Sequence, residues 1–96
     1  MHHEAMHFIY ETKVLYPQYF KNTRVLEIGS LKLGLQPSAK THFENCDYVG
    51  VDIDEGPNVD VVCKGHEYTS DELFDIVINH LTIYFISGSS YPEIIT

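Results

Sequence analysis

Basic side chains are scarce in this chain. Six Lys and Arg stand against 14 Asp and Glu in 96 residues, which gives a formal net charge of −8. A surface that binds the phosphate backbone of nucleic acids needs clustered positive charge, and so does attraction to an anionic membrane. The composition therefore argues against nucleic acid and membranes as partners, while a small substrate or a single nucleotide stays open.

Cysteines and long apolar segments are few as well. The two cysteines, Cys46 and Cys63, form no C-x-x-C pair, and we expect both to be small buried side chains in a reducing compartment. No stretch approaches the ~18 apolar residues of a membrane span, and the start of the chain lacks the basic and apolar regions of a signal peptide. The expected location is the cytoplasm.

Motifs for metal binding and nucleophilic catalysis are missing. His3 and His7 could share a helical face, but zinc takes three or four ligands and no third one is evident nearby. The chain has no G-x-S-x-G nucleophile elbow and no recognisable Cys–His pairing. We therefore expect no metal site, and no catalytic residue can be named.

Four short apolar segments alternate with loops rich in glycine, proline and charge. Branched apolar side chains dominate each segment, which is typical of buried parallel strands; the segments are residues 24–29, 48–53, 59–63 and 74–79. They predict an α/β fold, a partial Rossmann-like and mainly parallel sheet of about four strands in the order 3-2-1-4 with short helices. One short helix is expected over residues 37–45.

Two further segments flank this predicted half-domain, which spans residues 21–79. Residues 1–20 are expected to form a weakly amphipathic helical extension that ends near Pro17. Residues 80–96 hold a single charged side chain, Glu93, and residues 83–86 fit either a strand or part of a helix. We hypothesise that the reading frame slipped or was cut after about Ile78, which would leave a tail that never evolved to pack.

Polar residues stand where the predicted strands end. In open α/β sheets these carboxyl ends share one edge, where ligands bind. A glycine such as Gly29 lets the backbone approach a ligand, and Asp52, about 20 residues further on, could accept hydrogen bonds from ribose hydroxyls. Asp54 is a rival for that role. The alternatives are that the glycine serves only a tight turn and that the acid is solvated.

Three blocks, residues 25–30, 48–53 and 74–79, read VLEIGS, YVGVDI and FDIVIN. Together they resemble the cofactor-binding N-terminal half of a class I S-adenosylmethionine (SAM)-dependent methyltransferase. The resemblance implies SAM as the cofactor, with these residues around it: Glu27, Gly29, Ser30, Asp52, Ile53, Gly65, His66, Glu67 and Asn79.

The resemblance also implies a role for each part. A glycine loop lies under the methionine part of SAM and is supported by the acid at Glu27. The acid at Asp52 binds the ribose, and the next residue, Ile53, packs on the adenine. The loop at residues 65–67 lies beside the adenine ring, and Asn79 is near the site that follows strand four.

The chain departs from the family pattern in two ways. Leu31 and Leu33 stand where the family has its second and third loop glycines, and bulky side chains there would weaken SAM binding; Gly34 is a candidate displaced remnant. The family fold also continues with at least three more strands, so the resemblance is to a truncated half whose activity alone is doubtful and whose methyl acceptor is unknown.

Two alternative functions stay open. An NAD-type nucleotide-binding fragment would share the loop and the strand-two acid, but its G-x-G-x-x-G pattern is absent. A non-enzymatic interaction module would bury its open sheet edge, expected at strand four, against a partner or in a homodimer.

Overall fold

The computed structural model describes residues 3–32, 34, 38–69, 73–79, 82–86 and 92–95. This part of the chain contains one α-helix, α1 (His3–Leu15), and six strands in one mixed sheet. The strands are β1 (Arg24–Ile28), β2 (Asp47–Asp52), β3 (Val61–Val62), β4 (Ile76–Asn79), β5 (Thr82–Ile86) and β6 (Pro92–Ile95). Short 3₁₀ helices span Pro17–Phe20, Ala39–His42 and Gly65–Glu67.

The strands lie in the order β3-β2-β1-β4-β5-β6. β1 pairs in parallel with β2 and β4, and β2 pairs in parallel with β3. β5 is antiparallel to both β4 and β6. The prediction of an α/β fold with a mainly parallel sheet is confirmed. The prediction of about four strands in the order 3-2-1-4 is wrong for the sheet as a whole, because β5 and β6 continue it beyond β4.

The segment after β4 packs into the core. Ile83 and Phe85 alternate along β5 and are almost completely buried, which is the pattern of a strand with one face on the core. The expectation of a tail that does not pack is therefore wrong for β5. The expectation that strand four forms the open edge is wrong too, since β5 covers it.

One face of the sheet carries α1. Ile9 and Thr12 of this helix are buried, and Ile9 joins a cluster with apolar side chains from β1, β4 and β5. Pro17 begins a 3₁₀ turn directly after the helix, because a proline is tolerated in the first turn of a helix but not in its interior. The ring of Tyr19 in this turn stacks on Phe85 at 4.1 Å.

The opposite face has a smaller core around Leu26, Val51 and Phe74. It is covered by the segment that connects β3 to β4, from which Tyr68 and Phe74 pack on the sheet. No helix among the described residues is long and apolar enough to cross a membrane.

The helix expected over residues 37–45 is reduced to the 3₁₀ turn Ala39–His42 in the described part of that range. Ser38 caps its start by accepting a hydrogen bond from the Lys40 amide. Phe43 is extended and its ring stacks on Phe20 at 4.6 Å, so the helix ends where the chain turns to bury an aromatic side chain.

Candidate functional site

The carboxyl ends of β1, β2 and β4 lie side by side. In the register, Ile28 is opposite both Val51 and Asn79. Gly29 therefore follows β1 next to Asp52, the last residue of β2, and next to Asn79, the last residue of β4. β3 joins the same edge, because the Cys63 amide donates to the Asp52 carbonyl at 2.9 Å.

Gly29 makes the turn out of β1. Its φ is +80°, a region that glycine adopts without steric cost. Its amide donates to the Val51 carbonyl at 2.7 Å, which keeps the turn tied to β2. A Cβ at this position would meet none of the described residues within 4 Å.

Asp52 holds the loop after β1, which we call the β1 loop (residues 29–32). One carboxylate oxygen, Oδ2, accepts a hydrogen bond from the Leu31 amide at 3.0 Å, and Oδ1 accepts one from the Asp54 amide at 3.2 Å. A carboxylate offers about four lone-pair sites, so half-buried Asp52 keeps acceptor capacity. Asp54 is exposed and contributes its backbone to this network.

The β1 loop continues across the end of β2 to the turn that leads to β3. The Lys32 amide donates to the Pro57 carbonyl at 2.9 Å. The Leu31 side chain lies against Gly56, where an added Cβ would overlap Leu31 Cδ1. The sequence showed that position 31 carries a bulky side chain. It did not predict the contacts between this loop and the β2–β3 turn, because they join residues that are distant in the sequence.

Ser30 is 4% exposed, and its buried hydroxyl has no hydrogen-bond partner among the described residues. It lies over Gly50, where an added Cβ would overlap both Ser30 Oγ and the Asn58 carbonyl oxygen. Gly50 is thus required for the close approach of the β1 loop and the β2–β3 turn. A buried hydroxyl without a partner is unusual in a folded protein.

Glu27 is only 3% exposed and accepts a hydrogen bond from the Tyr48 hydroxyl. Burial raises the pKa of Glu27; the Tyr48 hydrogen bond opposes this rise, and the nearby charge of Asp52 adds to it. Burial and the neighbouring Glu27 raise the pKa of Tyr48, so its hydroxyl stays a donor. The sequence analysis did not identify Tyr48 as a partner of Glu27. The feature that could have predicted it is a side chain with a terminal hydroxyl on the strand next to a buried acid.

The other expected site residues are spread along the same edge. Ile53 is 64% exposed just beyond Asp52. Gly65 approaches β1 closely, because a Cβ there would overlap Ile28 Cγ2. Glu67 is exposed and Asn79 is half-buried. The side chain of His66 lies outside the described residues.

A second polar region lies at the opposite, amino ends of the strands. An open depression of about 460 Å³ is lined by Asn22, Thr23, Arg24, Asn45, Asp47 and Asp75. The Arg24 amide donates to Asp75 Oδ2 at 2.9 Å, and the Asn45 side-chain amide donates to Asn22 Oδ1 at 2.6 Å. Arg24 Nε also lies 3.5 Å from Asp47 Oδ2, so the polar groups of this region largely pair with one another.

Within the described ranges, no group of three or more His, Cys, Asp or Glu side chains is placed to hold a metal ion. Cys46 and Cys63 are free and half-buried. No protein-family model, curated protein or solved structure matches this chain.

Proposed function

We propose that the carboxyl ends of β1 and β2 bind the adenosine part of a cofactor, with SAM as the cofactor, and that the chain is the SAM-binding portion of a SAM-dependent methyltransferase. The observation that carries this proposal is the hydrogen bond between the Asp52 carboxylate at the end of β2 and the loop that Gly29 begins, which the Leu31 amide donates. The methyl acceptor stays unassigned, and so does activity of this chain alone.

The topology supports this location. From β1 the chain runs outward to β2 and β3 and then returns to β4 on the other side of β1. The β3-β2-β1-β4 part of the sheet is parallel, and ligands of open parallel α/β sheets bind outside the carboxyl ends where the strand order reverses. That reversal occurs at the end of β1, where a Cβ on Gly29 would contact none of the residues that the structure describes.

The residues at this edge fit the ribose and adenine parts of the cofactor. Asp52 offers two carboxylate oxygens to a vicinal diol, and the exposed Ile53 side chain offers an apolar surface to the adenine ring. When bound, SAM supplies an electrophilic methyl group. The chain's own residues would hold and orient the cofactor, because in-line positioning dominates methyl transfer and requires little acid–base chemistry.

Isothermal titration calorimetry with S-adenosylhomocysteine tests the proposal, with NAD as the control ligand. We expect micromolar binding of S-adenosylhomocysteine alone. Asp52→Asn should weaken this binding about tenfold or more, since hydrogen bonds to a charged group are lost. The matched variant Asp54→Asn removes the same charge two residues away and should bind like the wild type. Equal binding of NAD, or no binding of either ligand, would contradict the proposal.

A second candidate function, a homodimeric interaction module, is favoured by the edge of the sheet. β6 is the last strand beyond β5 in the described part of the sheet, and Glu93 is the one charged residue in β5 and β6. Self-pairing of this charge-poor edge meets little repulsion, even though the chain carries a net charge of −8. Multi-angle light scattering should then report twice the 11.0 kDa chain mass; a monomer at all concentrations would contradict it.

A further inference from the structure

Leu31 closes the same edge of the sheet to which the proposed function assigns the ligand. Its backbone amide donates to the Asp52 carboxylate at the end of β2, and its side chain lies against Gly56 in the following turn. Resting on the proposed function, we propose that Leu31 is a latch at Asp52, which competes with an adenosine ligand for the carboxylate that would bind the ribose.

The backbone part of the latch is a pair of hydrogen bonds. The Leu31 amide donates to Asp52 Oδ2 at 3.0 Å, and the next amide, that of Lys32, donates to the Pro57 carbonyl at 2.9 Å. The β1 loop is therefore fastened at two consecutive residues, one to the end of β2 and one to the turn that follows it. The first of these bonds uses a carboxylate oxygen that a ribose diol would engage.

The side-chain part of the latch depends on Gly56. Leu31 is half-buried and lies where a Cβ of residue 56 would be. A glycine at this position of the β2–β3 turn leaves room for the leucine side chain, which packs against the turn that follows Asp52. Contact between apolar groups stabilises the closed loop without any ligand.

Competition follows from these contacts. The Leu31 amide uses one acceptor site of Asp52 Oδ2, and a ribose diol that engages both carboxylate oxygens competes with it at that oxygen, so the closed loop weakens the binding of the ribose. The apparent affinity of such a site is lowered by the fraction of molecules in which the loop is open. Truncating the Leu31 side chain should raise that fraction and tighten binding.

Amide hydrogen exchange of the ligand-free chain, followed by NMR, tests the latch without any cofactor. We expect the Leu31 and Lys32 amides to exchange at least about tenfold more slowly than in an unstructured peptide. Asp52→Ala should remove the protection of Leu31, while the matched Asp54→Ala should retain it. Exchange of the wild-type Leu31 amide at the unstructured rate would overturn the inference.

Titration of Leu31→Ala with S-adenosylhomocysteine tests the competition. Binding about five- to tenfold tighter than that of the wild type is expected. Leu15→Ala is the matched control, because Leu15 is an exposed leucine of α1 and should leave the affinity unchanged. Equal affinity of wild type and Leu31→Ala would overturn the latch and leave the proposed function standing. Protected Leu31 and Lys32 amides with no binding by either chain would overturn the proposed function and with it the competition for Asp52.

Discussion

The two ends of the central strands use polar groups in different ways. At the amino ends, Arg24 is held by two acids, since its amide bonds to Asp75 and its side chain lies near Asp47. At the carboxyl ends, the Asp52 carboxylate accepts hydrogen bonds from loop amides, and the buried Ser30 hydroxyl has no partner among the described residues. The first set of contacts joins strands to one another, whereas the second holds a loop.

We interpret this difference as one between an end that stabilises the sheet and the end at which the proposed ligand binds. Hydrogen bonds between neighbouring strand ends fix the start of the sheet and leave little capacity for a ligand. A carboxylate that accepts hydrogen bonds from loop amides keeps that capacity. Parallel α/β sheets bind ligands at their carboxyl ends, and the predictions below test the contrast between the two ends.

The largest effect on stability is expected at the amino ends. Asp75→Ala removes the acceptor of the Arg24 amide and should lower the free energy of unfolding by about 1–2 kcal/mol. Asp47→Asn is the matched control; it removes a charge from an exposed ion pair and should cost less than about 0.5 kcal/mol. Urea denaturation measures both. A smaller loss for Asp75→Ala than for Asp47→Asn would show that the amide bond to Asp75 does not stabilise this end.

A smaller effect of opposite sign is expected from Ser30. Because its hydroxyl is buried without a partner among the described residues, Ser30→Ala should be neutral or raise the free energy of unfolding by up to about 1 kcal/mol. The comparison variant is Thr23→Val at the amino end, which removes a hydroxyl that donates to the Tyr19 carbonyl at 2.8 Å and should cost about 1 kcal/mol. Thermal unfolding compares them. A clear loss of stability in Ser30→Ala would mean that the hydroxyl is hydrogen-bonded in solution.

The smallest effect is a change in pH dependence at Glu27. Burial raises the pKa of Glu27 in the folded chain above its ordinary value of 4.5, so the folded state binds a proton that the unfolded state has released. Stability should therefore fall as the pH rises from 4.5 through the raised pKa, and the loss should persist at neutral pH. Glu27→Gln should abolish this contribution when urea midpoints are measured from about pH 4 to about pH 8. If stability depends on pH in the Glu27→Gln variant as it does in the wild type, this explanation is wrong.

Local patterns in the sequence predicted the strands that carry most of the sheet. The branched apolar runs over residues 24–29 and 74–79 contain β1 and β4, because a strand buried on both faces needs apolar side chains without interruption. The glycine at the end of β1 and the acid at the end of β2 follow from the same patterns. The two residues lie close together because β1 and β2 pair in parallel, which no local sequence pattern predicts.

The remaining features depend on contacts between distant residues. The sequence of β5 fits a strand or part of a helix. It forms a strand because it pairs with β4 and buries Ile83 and Phe85. The prediction of a helix over residues 37–45 is wrong because Phe43 is extended and its ring stacks on Phe20. The hydrogen bond between Glu27 and Tyr48 joins residues that are 21 positions apart in the sequence, and the contact between Leu31 and Gly56 joins residues that are 25 positions apart. The periodicity of a sequence does not predict such pairs.

The contrast between the two ends is tested most directly by mapping ligand binding on the ¹⁵N-labelled chain with S-adenosylhomocysteine. We expect the amide shift changes to concentrate at the β1 loop, which includes Gly29 and Leu31, and at the end of β2, at Asp52 and Ile53. The amides at the amino ends of the strands should stay unperturbed. Changes centred on the amino-end depression, or no changes at millimolar ligand, would contradict the account.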